Sequence, residues 1–148
     1  MEYYHLHPIA VHFPIVLLIV GLAVETIAIF KPENEWLKNS SSWLLWLGTL
    51  AAWVAVGTGL LAEETAPHVP LAWEVLAEHE TLAFWTAGLF SMLSVGRIIF
   101  RNRWKVHNKS LRLIYVFFWL ISAGMLVGTA DHGGQLVFDF GVGVVKHK

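Results

Sequence analysis

The chain has 148 residues and a formal net charge of −1, with 56% hydrophobic and only 14% charged residues, and its mean hydropathy is +0.58. This composition is typical of an integral membrane protein rather than a soluble domain, and the balanced charge argues against nucleic acid as a partner. The sequence contains no cysteine, which excludes disulfides, iron–sulfur clusters and thioether-attached haem. Any metal or cofactor would therefore depend mainly on histidine.

Four apolar segments are each long enough to cross a hydrocarbon core of about 30 Å as a helix. We predict helices over about 9–30, 43–61, 71–100 and 111–132, with a tail at 133–148. No composition shift marks a domain boundary, so residues 1–148 are expected to form a single transmembrane domain. The predicted fold class is all-α, an integral membrane four-helix bundle that runs up-down-up-down.

The positive charges predict how this bundle sits in the membrane. All lysines and arginines except Lys146 and Lys148 lie in or beside the connections between the first and second helices and between the third and fourth. Cytoplasmic loops are enriched in these two residue types. We therefore expect a multi-pass protein of the bacterial inner membrane, with both termini on the outer side and the lipid bilayer as its first partner.

Histidines gather at the predicted outer ends of three helices. With a rise of 1.5 Å per residue, His12, His79 and His132 each lie roughly 27–30 Å from the basic residue at the other end of the same helix, and so at one depth. A single histidine near a helix end is more often only solvated or hydrogen-bonded. Three at one depth favour a shared site in the bundle interior.

The first ligand predicted for such a site is haem b. Axial ligation by two histidines from different helices suggests His12 and His79 as the first pair, with His7 and His132 as a second pair or as supporting groups. Occupation of both pairs would give two haems, and of the first pair one.

Glycines in the outer halves of the second and fourth helices would make room for the macrocycle. These are Gly57 and Gly59 on the second helix and Gly124 and Gly128 on the fourth. A flat ring needs such thinning between helices. The last two also form a G-x-x-x-G pair, which serves equally well as an ordinary helix-packing device.

Two other hypotheses stay open. In an extended segment His5 and His7 would point to the same side, and with His12 or His68 they would bind or transport copper, zinc or iron. Alternatively, the chain is a structural subunit of a larger membrane complex. Glu25, inside the first span, is either a proton-relay group or a carboxylate close enough to the inner surface to reach water.

Several motifs resemble those of a known family. They are L-H-P at residues 6–8 followed by V-H-F-P-I at 11–15, the histidine at position 79, and G-G-Q-L-V at 133–137 leading to G-V-G-V at 141–144. They resemble the small bacterial four-span membrane proteins called domain of unknown function 2231, over nearly the whole chain. The resemblance implies a four-helix membrane fold, with His7, His12 and His79 at motif positions.

The chain departs from that family's pattern at two places. Phe140 stands where a histidine or arginine is expected before the last glycines, and L-A-E-E at 61–64 stands where an aspartate is expected after the second helix. If the tail histidine is a ligand in relatives, His132 would replace it here. The resemblance implies little about activity.

The functional hypothesis from the sequence is a membrane b-type haem protein that transfers electrons between the quinone pool and a periplasmic redox protein at the outer face. Such a protein is an electron carrier or redox subunit rather than a stand-alone enzyme. It would act as a homo-oligomer or within a larger complex.

Overall fold

The computed structural model describes residues 3–65, 69–100 and 109–143. This part of the chain contains no strand and is almost entirely helical. A 3-10 turn at Tyr3–His5 leads into the helices, which are α1 (Leu6–Ala10), α2 (His12–Phe30), α3 (Glu35–Thr65), α4 (Trp73–Ile99) and α5 (Lys109–Phe138); a second 3-10 turn, Pro70–Ala72, precedes α4.

Four helical segments are long and apolar enough to cross a membrane. They are Leu6–Phe30, which joins α1 and α2, then Glu35–Thr65, Pro70–Ile99 and Lys109–Phe138. Their order and number confirm the predicted all-α membrane bundle. The side of the membrane on which each terminus lies stays a prediction.

Two of the helices extend well beyond the apolar segments that predicted them. α3 starts at Glu35 instead of about residue 43, and α5 continues to Phe138 through residues expected in the tail. Hydropathy marks only the part of a helix that lipid requires to be apolar, whereas backbone hydrogen bonding continues until a stop signal. The start of α3 is capped by the Asn34 side chain, which accepts a hydrogen bond from the Leu37 N–H at 3.1 Å.

The core contains one large residue from each of the four long helices. Leu18 of α2, Leu45 of α3, Phe90 of α4 and Trp119 of α5 are all completely buried. The indole N–H of Trp119 donates to the Leu18 carbonyl at 3.2 Å, which satisfies the polar atom of an otherwise apolar layer. α2 packs mainly against α3 and α4 mainly against α5, and the remaining contacts close the ring of helices.

Polar clusters lie on either side of this apolar layer. The histidine end, defined by His7 and His79, contains the beginnings of the first and third spans. The arginine end, defined by Glu25, Arg97 and Arg112, contains the beginning of α5 and the later parts of α2 and α4. His79 and Arg97 are separated by 18 residues of one helix, or roughly 27 Å, close to the thickness of a hydrocarbon core.

Candidate functional site

The centre of the candidate site is a pair of histidines from two different helices. The ring centroids of His7, on α1, and His79, on α4, are 6.1 Å apart, and the ring planes are nearly perpendicular at 80°. Both side chains are half-buried. α1 leads directly into α2, and α2 and α4 lie across the ring of helices from each other, so the two imidazoles meet near the middle of the bundle.

Each ring is held by a backbone carbonyl from the neighbouring helix. His7 Nδ1 lies 3.0 Å from the Ala55 carbonyl oxygen and 3.3 Å from Thr58 Oγ1, and His79 Nδ1 lies 2.9 Å from the Thr129 carbonyl oxygen. A carbonyl oxygen can only accept, so Nδ1 of each ring donates the proton. In a neutral imidazole the lone pair then lies on Nε2, which is the arrangement of a histidine prepared to bind a metal.

Two glycines approach these rings closely. A Cβ atom at Gly59 would lie 3.1 Å from His7 Cε1, and one at Gly133 would lie 3.1 Å from His79 Cε1. A side chain at either position would press against the imidazole, so each glycine lets a helix backbone pass close to a ring. Gly59 belongs to the predicted glycine set, whereas Gly133 belongs to the G-G-Q-L-V motif at 133–137.

The other three glycines of the predicted set border open space. Among the described residues, a Cβ at Gly57, Gly124 or Gly128 would meet no atom within 4 Å. Gly57 and Gly124 are also exposed. A Cβ at any of these three positions would therefore contact neither imidazole of the pair.

His12 is exposed rather than placed next to His79. Its Nδ1 donates to the Pro8 carbonyl one turn earlier in the same segment, at 2.6 Å. The structure therefore brings His7, and not His12, to His79. Of the predicted first pair, His12 is exposed and His79 is half-buried.

His132 lies beside the pair without joining it. Its Nδ1 bonds to the Gly128 carbonyl of its own helix at 2.9 Å, and its Nε2 is 3.4 Å from Glu78 Oε2. Glu78 directly precedes His79 in α4, so this contact ties α5 to α4 beside the site. The two residues also line an open cavity of about 470 Å³.

The extended geometry assumed for His5 and His7 is wrong. Residues 3–10 form a 3-10 turn and α1, where side chains two positions apart point in different directions. His5 is exposed. His68 and His147 lie outside the described residues. Within the part of the chain that the structure describes, no group of three or more histidines and carboxylates could hold a metal ion.

Glu25 is the centre of the arginine end. It is completely buried, and its Oε2 accepts hydrogen bonds from Arg97 Nη2 at 2.8 Å and from the Ser41 hydroxyl at 2.5 Å. Its Oε1 accepts from Arg112 Nη2 at 2.9 Å and Nε at 3.2 Å. The alternative in which Glu25 reaches water is therefore wrong, because two guanidinium groups enclose the carboxylate.

Sequence reasoning missed the arginine cluster because it assigned Arg97 and Arg112 to the connections. Their side chains are 4% and 6% exposed respectively. The signal was available: a carboxylate inside a span requires a cation at the same depth. Arg97 and Arg112 both lie near the predicted inner ends of their helices, and Glu25 lies in the half of the first span that is nearer to the same side.

The comparisons with known proteins agree with this architecture. A family model described as "Predicted membrane protein (DUF2231)" matches residues 4–146. No curated protein and no solved structure matches the chain. Because the family model covers nearly all of the sequence, the chain belongs to the DUF2231 family of predicted membrane proteins.

Proposed function

We propose that this protein is a membrane b-type haem protein that carries electrons, in which His7 and His79 would hold the iron of one haem. The observation that carries the proposal is the hydrogen bonding of these two imidazoles. Each imidazole has its Nδ1 bound to a backbone carbonyl of the adjacent helix, which fixes the ring and increases the basicity of Nε2.

The spacing of the rings supports this assignment. The imidazoles come from two different helices, and the centroids of His7 and His79 are 6.1 Å apart. The two rings are therefore close enough that their Nε2 atoms could bind one haem iron between them.

The number of ligands favours haem over a bare ion. A porphyrin supplies four nitrogens, so two imidazoles from the protein complete the coordination of its iron. A zinc ion takes three or four protein ligands, whereas among the residues that the structure describes two histidine rings meet here. When bound, haem supplies a one-electron couple; the protein's part is to hold both rings in place and to exclude bulk water from them.

The position of the pair suits exchange with both a lipid-soluble and a water-soluble partner. The histidine end is near one boundary of the hydrocarbon, roughly 27 Å from the arginine end. Applying the positive-inside rule, we place it at the outer face of a bacterial inner membrane. A quinol in the bilayer would then be the donor and a periplasmic redox protein the acceptor.

The test is an optical spectrum of the detergent-purified protein produced with ample haem, oxidised and then dithionite-reduced, with a pyridine haemochrome measurement of haem per chain. We expect a reduced b-type α band and one haem per chain. His7→Ala and His79→Ala should each abolish the low-spin spectrum. His12→Ala is the matched control, because His12 is exposed and bonded within its own segment, and it should retain the spectrum.

A featureless spectrum of the wild-type protein would overturn the proposal. Elemental analysis of the same sample would then separate the two alternatives. Stoichiometric copper, zinc or iron without porphyrin would indicate a metal-binding or transport module that uses the same two rings. Clean protein that co-purifies with a membrane partner would indicate a structural subunit.

A further inference from the structure

Two contacts across the bundle join residues with the same separation in sequence. His79 follows His7 by 72 residues, and Arg97 follows Glu25 by 72 residues. The first two meet at the histidine end, with ring centroids 6.1 Å apart. The second two meet at the arginine end, with Arg97 Nη2 2.8 Å from Glu25 Oε2. Equivalent positions of the first and third spans therefore face each other at both ends of the molecule.

The second and fourth spans follow the same pattern with a separation of 74 residues. The carbonyls that bind the two histidines belong to Ala55 and Thr129, which are 74 apart. The glycines next to the two rings, Gly59 and Gly133, are also 74 apart, and a Cβ at either position would lie 3.1 Å from Cε1 of the imidazole. The histidine, the carbonyl and the glycine four residues after the carbonyl thus form a three-part unit that occurs twice.

The buried positions repeat in register with these contacts. Five of the seven buried positions of α2 (14, 18, 21, 22 and 25) give buried positions of α4 when 72 is added (86, 90, 93, 94 and 97), whereas Ala28 corresponds to the exposed Phe100. Six of the eight buried positions of α3 (38, 41, 45, 48, 49 and 52) give buried positions of α5 when 74 is added (112, 115, 119, 122, 123 and 126), and the other two correspond to half-buried residues. A helical period alone would align two burial patterns, but it would not give equivalent residues the same contact partners.

We propose that the chain is a tandem repeat of one two-helix unit, with the two copies related by an approximate two-fold axis along the bundle, and that this axis makes the histidine end a symmetric site. Both copies begin at the same end of the bundle, so the repeat is parallel and its axis runs along the membrane normal. A single transition-metal centre bound at the histidine end would be held by two equivalent groups, Nε2 of His7 and Nε2 of His79. The identity of that ligand rests on the proposed function, whereas the repeat does not.

The arginine end explains what one chain gains over two identical units. In a symmetric dimer, the residues at positions 25 and 97 would be identical and would bring two like charges together on the axis, which is unfavourable in an apolar interior. A single chain places Glu25 opposite Arg97. The repeat also makes Lys38, which is buried, the counterpart of Arg112, since they are 74 residues apart.

This correspondence predicts that the charge pattern can be exchanged between the copies. Glu25→Arg and Arg97→Glu should each lower the thermal unfolding midpoint of the detergent-solubilised full chain. The double variant should regain most of that loss, because the ion pair is restored with its members exchanged. A double variant whose unfolding midpoint stays nearly as low as those of the single variants would overturn the proposal.

Simple charge compensation would also predict that rescue, so positions 38 and 112 provide the discriminating measurement. In the wild-type chain, Arg112→Lys should lower the midpoint and Lys38→Arg should not raise it. In the exchanged chain, Lys38→Arg should raise the midpoint and Arg112→Lys should be nearly silent, because the two positions have traded roles. An exchanged chain that still depends on Arg112 and ignores position 38 would refute the repeat.

The symmetry of the histidine end has its own readout. In a titration of the purified apoprotein with haemin, His7→Ala and His79→Ala should weaken binding by the same factor within about threefold, at a stoichiometry of one per chain. A tenfold or larger difference between the two would overturn the symmetric site. Failure of haemin to bind the wild-type protein would remove the proposed function, while the charge exchange would still decide the repeat.

Discussion

Replacing Glu25 with glutamine should destabilise the protein severely while leaving the shape of the side chain almost unchanged. Glu25 is completely buried and is the shared anion of Arg97 and Arg112, whose side chains are 4% and 6% exposed. Removing one partner of a buried ion pair costs about 3–5 kcal/mol, because a charge is left uncompensated in a low-dielectric interior. That is a large fraction of the roughly 5–15 kcal/mol by which a folded domain is stable.

The assay is the thermal or denaturant unfolding of the detergent-purified full chain, followed by circular dichroism. Glu63→Gln is the matched control, because it removes the same charge from a side chain that is exposed. A surface substitution of this kind changes stability by about 0.5 kcal/mol or less, so this control should unfold almost as the wild type does. Equal stability of the two variants would show that the buried cluster does not hold this end of the bundle together.

The glycines provide further predictions, with Gly57→Ala as the common control because a Cβ there would meet no atom of the described residues within 4 Å. Gly59→Ala and Gly133→Ala should push the histidine rings aside and weaken haem binding by about 10–100-fold in a haemin titration, as expected when the support of a metal ligand is disturbed. Gly48→Ala should lower unfolding stability by about 1–3 kcal/mol, because its Cβ would lie 2.6 Å from Leu18 Cδ2 in the buried core. Haem binding or stability equal to that of Gly57→Ala would contradict the respective prediction.

The histidines illustrate how far sequence reasoning reaches in this chain. Depth along a helix follows directly from residue counting, so the gathering of imidazoles at one end was predictable. Which of them face each other depends on the rotation of each helix about its axis and on the short turn before α2. Those details made His12 an exposed residue and His7 the neighbour of His79.

The two-fold relation was harder to find from the sequence. Of the pairs that mark it, the histidines at 7 and 79 and the glycines at 59 and 133 are identical, whereas Glu25 and Arg97 have opposite charges. A comparison of residue types along the sequence does not recognise such a pair as equivalent. Only the contacts reveal that opposite residues occupy equivalent places.

By itself, the sequence determined the class of protein, the number of spans and the alternation of their direction, because lipid requires long apolar helices and short connections leave consecutive helices antiparallel. Only the tertiary structure decided the helix rotations, and with them the pairing of His7 with His79 and the enclosure of Glu25 by two arginines. The physical reason is that these contacts join residues 72 to 87 positions apart. Their geometry depends on how four helices pack together, and no local pattern along one helix records that packing.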